Sequence, residues 1–150
     1  MNQFGVLYVD DEIHNLNSFK AAFRRDFNIH VAQSAREGRK VLDQNEIAVI
    51  VTDQRMPGMT GIEFLESIIP VYPDTIRILL TGFSDINAVM DAINRGQVYK
   101  YLVKPWADEE LKMYIQNAIE IYRLRIENRD LSQKLDSAIR QLENLTKSGL

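Results

Sequence analysis

Short unbroken apolar runs alternate along the chain with longer stretches whose apolar residues return every three or four positions. The runs predict buried strands and the stretches predict amphipathic helices. Phe4-Gly5-Val6-Leu7-Tyr8-Val9 predicts the first strand, and residues 13–25 a helix with Leu16, Phe19, Ala22 and Phe23 on one face. Asn28 to Ala32 predicts a short strand. Ser34, with Glu37 three residues on, predicts the N-cap of a helix reaching about Asp43. Ile47 to Val51 is apolar on both alternations, as expected of a central parallel strand covered on both faces. Gly58 and Gly61 bracket a loop before a short helix over Ile62 to Ile69, which Pro70 and Pro73 end. Ile76 to Leu80 predicts a fourth strand. Ser84 predicts the cap of a helix through about Asn94, with Gly96 as its left-handed stop. Val98 to Val103 predicts a fifth strand, broken by Pro105.

Five strands alternating with helices predict an α/β fold: a flavodoxin-like, doubly wound, five-stranded parallel sheet of order 2-1-3-4-5 with right-handed crossovers. The last helix is too long for such a domain alone. Asp108, Glu109 and Glu110 place negative charge at its start, where the helix dipole favours it. No Pro or Gly follows until about Leu145, a span of roughly 55 Å at 1.5 Å per residue. Its second half carries apolar positions spaced alternately by three and four: Ile121, Leu124, Asn128, Leu131, Leu135, Ala138, Leu142 and Leu145. This seam predicts a two-stranded parallel coiled coil, hence a homodimer, with Asn128 at an a position setting register at some cost in stability. The e and g positions pair poorly, and Ile139 could widen the seam toward a larger bundle. The expected division is a domain over residues 1–120 and a coiled-coil signalling helix over 121–150.

Composition narrows the class. Of 150 residues, 45% are apolar and 26% charged, which suits a folded globular chain. The net charge of -3, with both signs interspersed, lacks the basic footprint of a nucleic-acid binder. With no cysteine, disulfides and thiolate metal sites are excluded. Met1-Asn2-Gln3-Phe4 opens with neither a basic segment nor a long apolar stretch, so no signal peptide or membrane span is expected, and the expected location is cytoplasmic.

In a parallel α/β sheet, ligands collect at the carboxyl ends of the strands near the switch point. There the chain places Asp10-Asp11-Glu12, Thr52-Asp53, Thr81-Gly82 and Lys104-Pro105. Three unpaired carboxylates on one edge would repel and titrate high. A divalent cation removes that conflict. Carboxylates and water suit Mg²⁺, with Mn²⁺ an acceptable substitute, whereas two histidines and no thiol make a poor zinc site. A carboxylate beside such an ion can act as a nucleophile toward phosphorus, with Lys104 and the Thr81 hydroxyl neutralising oxygen charge.

Val9-Asp10-Asp11-Glu12, Thr52-Asp53-Gln54-Arg55-Met56-Pro57-Gly58-Met59-Thr60-Gly61, Leu80-Thr81-Gly82 and Lys104-Pro105 together resemble the response-regulator receiver family, over about residues 4–120. The resemblance implies that Asp53 is the phosphoacceptor, taking phosphate from a histidine kinase or phosphotransfer protein. It implies that Asp10, Asp11, Asp53 and the backbone carbonyl of Arg55 hold the metal, with Asp11 the direct ligand of the acidic pair. Thr81 matches the switch hydroxyl, Lys104 the phosphate-binding lysine and Tyr101 the aromatic switch. Lys104–Pro105 becomes a candidate cis bond. Arg55 and Phe83 are expected to border the phosphoryl group and tune its loss. Trp106 resembles receivers joined to cyclic-nucleotide enzymes, histidine kinases or AAA+ regulators. An output domain, in the same chain or another, is expected beyond the helix.

Each motif alone has an ordinary explanation. Asp10 and Asp11 could cap a helix, Asp53 could start a turn, and Tyr101 could be half-buried packing on an edge strand. His14 and His30 read as surface or packing residues. Two other functions compete. A haloacid-dehalogenase-like phosphatase would also use an aspartyl phosphate, but Arg55 stands where its second acid belongs. A dimeric adaptor working without phosphorylation would leave a complete acidic pocket unused. The expectation is therefore a phosphoacceptor that catalyses only its own phosphorylation and dephosphorylation.

Overall fold

The computed structural model describes residues 4–148; the sequence features at residues 1–3 and 149–150 lie outside them. The strands are β1 (Gly5–Val9), β2 (Asn28–Ala32), β3 (Ile47–Asp53), β4 (Ile76–Thr81) and β5 (Lys100–Val103). The helices are α1 (Ile13–Phe23), α2 (Ala35–Gln44), α3 (Gly61–Ile68), α4 (Ile86–Met90) and α5 (Asp108–Lys147), with a single 3₁₀ turn at Phe83–Asp85 before α4. All strand pairs are parallel, in the order β2-β1-β3-β4-β5. This is the predicted flavodoxin-like architecture.

Strands β1, β3 and β4 are buried at every residue, because helices cover both faces of the sheet. One core lies between the sheet and α1 and α5, and includes Phe19, Phe23, Val49, Ile78, Leu111, Ile115 and Tyr122. The other face packs Leu7, Ile50, Phe64, Leu65 and Ile68 under α2 and α3. Ser34 caps α2 by accepting from the Glu37 N–H, as expected. Thr60 and Glu63 form a capping box that starts α3.

The segment from β4 to β5 departs from expectation. Gly82, not Ser84, precedes the 3₁₀ turn, and regular α4 ends at Met90. Irregular turns follow to Gln97, and β5 begins at Lys100, two residues later than expected. The left-handed residue is Gln97 (φ 48°), not Gly96. Gln97 takes the left-handed place of a Schellman stop, with the Val98 N–H donating to Ile93 O at 3.3 Å and the Gln97 N–H to Asn94 O at 3.2 Å. Arg77, buried in β4, donates to the Gln97 carbonyl at 3.2 Å and to the Thr75 carbonyl at 2.7 Å. Burial lowers the pKa of the Arg77 guanidinium, and backbone carbonyls meet its need for acceptors.

Helix α5 is continuous for 40 residues. Leu111, Ile115, Ala118, Ile119 and Tyr122 bury its first half. Its exit is tied to the end of the sheet opposite the strand carboxyl ends. The Tyr122 hydroxyl donates to Glu46 at 3.3 Å, Arg125 donates to the Asp74 carbonyl at 3.3 Å, and Arg129 pairs with the Asp74 carboxylate at 2.5 Å. Beyond this, Leu124, Leu131, Leu135, Leu142 and Leu145 stand between 60% and 64% exposed. Ile121 differs from the other seam positions, since it packs partly against the domain core. Among the described residues, no helix is long and apolar enough to cross a membrane.

Candidate functional site

The carboxyl ends of β1, β3 and β5 meet, as the topology requires. Asp10 follows β1 and is buried; Asp53 ends β3 and is buried; Lys104 follows β5. Asp10, Asp11 and Asp53 each present a carboxylate oxygen within 4.8 Å of the others. Lys104 Nζ forms an ion pair with Asp53 Oδ1. A cleft of about 560 Å³ opens above them, walled by Asp11, Asp53, Arg55, Gly82, Asp85 and Lys104 among others.

The pocket is built by its strands. Asp10 is held from three sides: the Tyr8 hydroxyl donates to it at 2.7 Å, the Glu12 N–H at 3.0 Å and the Asn15 amide at 3.0 Å. Tyr8 stacks on Phe19 with centroids 4.1 Å apart, which fixes its ring. Burial, reinforced by the neighbouring Asp10 carboxylate, pushes the Tyr8 hydroxyl pKa far above its ordinary value, so the phenol remains a donor. The loop after Asp53 is pinned by Gln54, whose N–H donates to Leu80 O at 3.0 Å and whose side-chain oxygen accepts from the Ile62 N–H at 2.9 Å. Gly61 lies so close that a Cβ there would sit 2.4 Å from the Asp53 carbonyl oxygen.

Burial raises the Asp53 carboxyl pKa above its ordinary value; Lys104 pulls it down, and Asp10 and Asp11 push it up. The net upward shift marks a carboxylate whose burial outweighs the pairing with Lys104. Hard oxygen donors in this number and spacing fit a small divalent cation. Among the described residues this is the one group of three or more such side chains that could hold a metal.

Other sequence-predicted residues lie around this centre without lining the cleft. Thr81 is fully buried, and its hydroxyl donates to the Gly82 carbonyl at 3.4 Å. Tyr101 is 38% exposed on edge strand β5, and Phe83 is 81% exposed. The Lys104–Pro105 bond is cis. Trp106 packs partly against the core. Three contributors were missed in the sequence: Tyr8, Asn15 and Asp85. Tyr8 is two residues before Asp10 on one strand, so the two share a face, and that spacing was the available signal. Asp85 bears on the site through a 2.6 Å ion pair with Arg55, which nothing in the local sequence announces.

Comparison with known proteins agrees with this geometry. The family model of the response regulator receiver domain matches residues 6–116. The hydrogenase transcriptional regulatory protein HoxA of Cupriavidus necator is 33% identical over 123 residues, covering 82% of this chain and 26% of that protein. The chain thus spans about a quarter of the length of the regulators first matched. A crystal structure described as adenylate cyclase from Rhodopirellula baltica superposes with a TM-score of 0.82 at 32% identity, over 89% of this chain and 99% of that one. A response regulator receiver domain protein from Clostridium thermocellum gives 0.75 at 31% identity, over 81% and 98%.

Proposed function

The chain belongs to the response regulator receiver family, and on that premise we propose that Asp53 accepts a phosphoryl group from a histidine kinase or phosphotransfer protein. The observation that carries the proposal is the convergence of Asp10, Asp11 and Asp53 within 4.8 Å, with Lys104 paired to Asp53 at the strand carboxyl ends. In the transfer, an Asp53 oxygen bonds to phosphorus as the donor's nitrogen–phosphorus bond breaks. The electron pair leaves with the imidazole nitrogen, which then takes a proton. Asp10, Asp11, Asp53 and the Arg55 backbone carbonyl are the residues to hold a Mg²⁺ ion, or Mn²⁺ in its place, whose charge offsets the negative charge on the phosphoryl oxygens. Tyr8, Asn15 and the Glu12 N–H hold Asp10 in position for that role. Lys104 reaches the phosphoryl oxygens from its place on Asp53. Thr81 supplies a hydroxyl from beneath Gly82, and Tyr101 turns inward behind it. Arg55 and Phe83 tune the loss of the group.

The reading extends to the whole chain. Residues 1–120 act as the receiver, and residues 121–150 as a coiled-coil signalling helix. Ile121, Leu124, Asn128, Leu131, Leu135, Ala138, Leu142 and Leu145 form the seam of a homodimer in the cytoplasm. Support comes from the exposed leucines that recur along one side of α5. An output domain in the same chain or a partner receives the signal. No other activity is assigned to the chain.

The test is incubation with acetyl phosphate and Mg²⁺, read by intact mass. Wild type gains one phosphoryl group, and Asp53→Asn or removal of the metal abolishes the gain. Phosphorylation that persists in Asp53→Asn refutes the assignment.

A further inference from the structure

We propose that Arg55 changes partners on phosphorylation: Asp85 holds it while Asp53 is unmodified, and the phosphoryl group takes it once Asp53 carries one. The inference rests on Asp53 being the phosphoacceptor. Arg55 lies in the β3–α3 loop, two residues beyond Asp53, and Asp85 closes the 3₁₀ turn after β4. Their side chains meet at 2.6 Å. Both line the cleft that Asp53 and Lys104 line, so the pair bridges two of its walls.

The two partners are not equivalent. Only 24% of the Asp85 side chain is exposed, against 77% of the Arg55 side chain. Asp85 is the better held of the two, since its N–H donates to Gly82 O at 3.0 Å within the 3₁₀ turn. Arg55 is therefore the mobile member, a cation tethered at the cleft and resting on a carboxylate. An ion pair this open to water is held weakly. A phosphoryl group brings about -1.5 to -2 charges and three acceptor oxygens. Lys104 and a Mg²⁺ ion in the acidic pocket would offset only part of that charge, since Lys104 already pairs with the unmodified Asp53 and the ion would already face the carboxylates of Asp10 and Asp11. A guanidinium fork binds phosphate oxygens in pairs, so the new anion outcompetes a single carboxylate.

The exchange has a structural consequence. When Arg55 leaves, the turn Phe83–Asp85 loses its tie to the β3–α3 loop. That turn carries Phe83, the most exposed large apolar side chain among the described residues. Asp85 thus reports the state of Asp53 to the start of α4 through a residue that both anions want.

The experiment titrates beryllofluoride at fixed Mg²⁺ and follows amide spectra of the full chain. It compares wild type, Asp53→Asn, Asp85→Asn, Arg55→Ala, Arg55→Lys and the double variant Arg55→Ala/Asp85→Asn. Asp85→Asn frees Arg55 in advance and lowers the half-saturating concentration by roughly 1.5- to 5-fold. Arg55→Ala raises it by about tenfold, and Arg55→Lys falls between wild type and Arg55→Ala. In the Arg55→Ala background, Asp85→Asn changes nothing. Amide exchange at residues 83–86 rises in wild type on adding beryllofluoride, and is already raised in Asp85→Asn. Single variants that shift binding in the same direction overturn the exchange. So does an Asp85→Asn gain that survives without Arg55, which would mark a simple charge effect. Wild type that takes up no beryllofluoride, or Asp53→Asn that takes it up equally, overturns the phosphoacceptor assignment itself and the exchange with it.

Discussion

Replacing Asp53 by Asn in the metal-free protein is expected to stabilise the fold at neutral pH. The Asp53 carboxylate faces those of Asp10 and Asp11 within 4.8 Å and one ammonium, that of Lys104. At an effective dielectric of about 20, two unit charges that far apart repel by about 3.5 kcal/mol. Lys104, in contact with Asp53, offsets most of the two repulsions, and burial of the charge leaves a net cost of about 1–2 kcal/mol. The sign with pH follows from the raised pKa of Asp53. The folded state holds the Asp53 proton to higher pH than the unfolded state does. Ionisation therefore erodes stability as pH rises from the ordinary value of 3.8 through the raised one, and the cost is complete above it. Asn at this position carries no such cost, so its advantage is absent at low pH and full near neutrality. Thermal melts in chelator from pH 4 to 7 should show the Tm difference opening to about 3–6 °C. Adding Mg²⁺ to ten times its dissociation constant should return about 1.4 kcal/mol to wild type and much less to Asp53→Asn. An Asp53→Asn protein that melts below wild type at pH 7 without metal would refute the reasoning, because the Lys104 pair would then outweigh burial and the neighbouring carboxylates together.

Other perturbations separate the parts of the site and the helix. Gly61→Ala drives a methyl group against the Asp53 carbonyl and Leu79, and should cost about 1–3 kcal/mol in urea unfolding while weakening Mg²⁺ binding. Tyr8→Phe keeps the stack on Phe19 but removes the 2.7 Å donor to Asp10, and should cost about 1–2 kcal/mol by the same assay. Arg129→Ala should leave global stability within about 1 kcal/mol, because its ion pair is half exposed, yet speed amide exchange over residues 123–129. Asn128→Leu should tighten self-association in sedimentation equilibrium, and an unchanged dissociation constant would remove Asn128 from the seam.

The sheet order and the acidic centre were legible because both follow from strand ends. Four of the five apolar runs, all but that of β2, are followed or closed by a residue of the proposed site, so locating the runs located Asp10, Asp53, Thr81 and Lys104 together. The failures share a cause of another kind. Gln97, not Gly96, is left-handed because the turn closes one residue later, with the Val98 N–H on Ile93 O and the Gln97 N–H on Asn94 O, while Arg77 holds the Gln97 carbonyl. Tyr8 sits within an apolar run and reads as core, although its hydroxyl is what fixes Asp10. Asp85 acquires its role from an ion pair thirty residues back along the chain. In each case a specific hydrogen bond or ion pair decided the outcome, and hydrophobic periodicity carries no trace of such contacts.

The continuity of α5 sets a scale for whatever this domain drives. About 25 residues follow Tyr122, its last buried side chain, making an arm of roughly 38 Å. The arm contains no glycine or proline at which to bend. With its pivot at the Glu46 and Asp74 contacts, a tilt of about 5° sweeps the far end through roughly 3 Å. On the proposed signalling role, rearrangements of a fraction of an ångström under the helix would be enlarged into a stroke the width of a side chain. For a given tilt, the length of the arm would set how far its distal end travels.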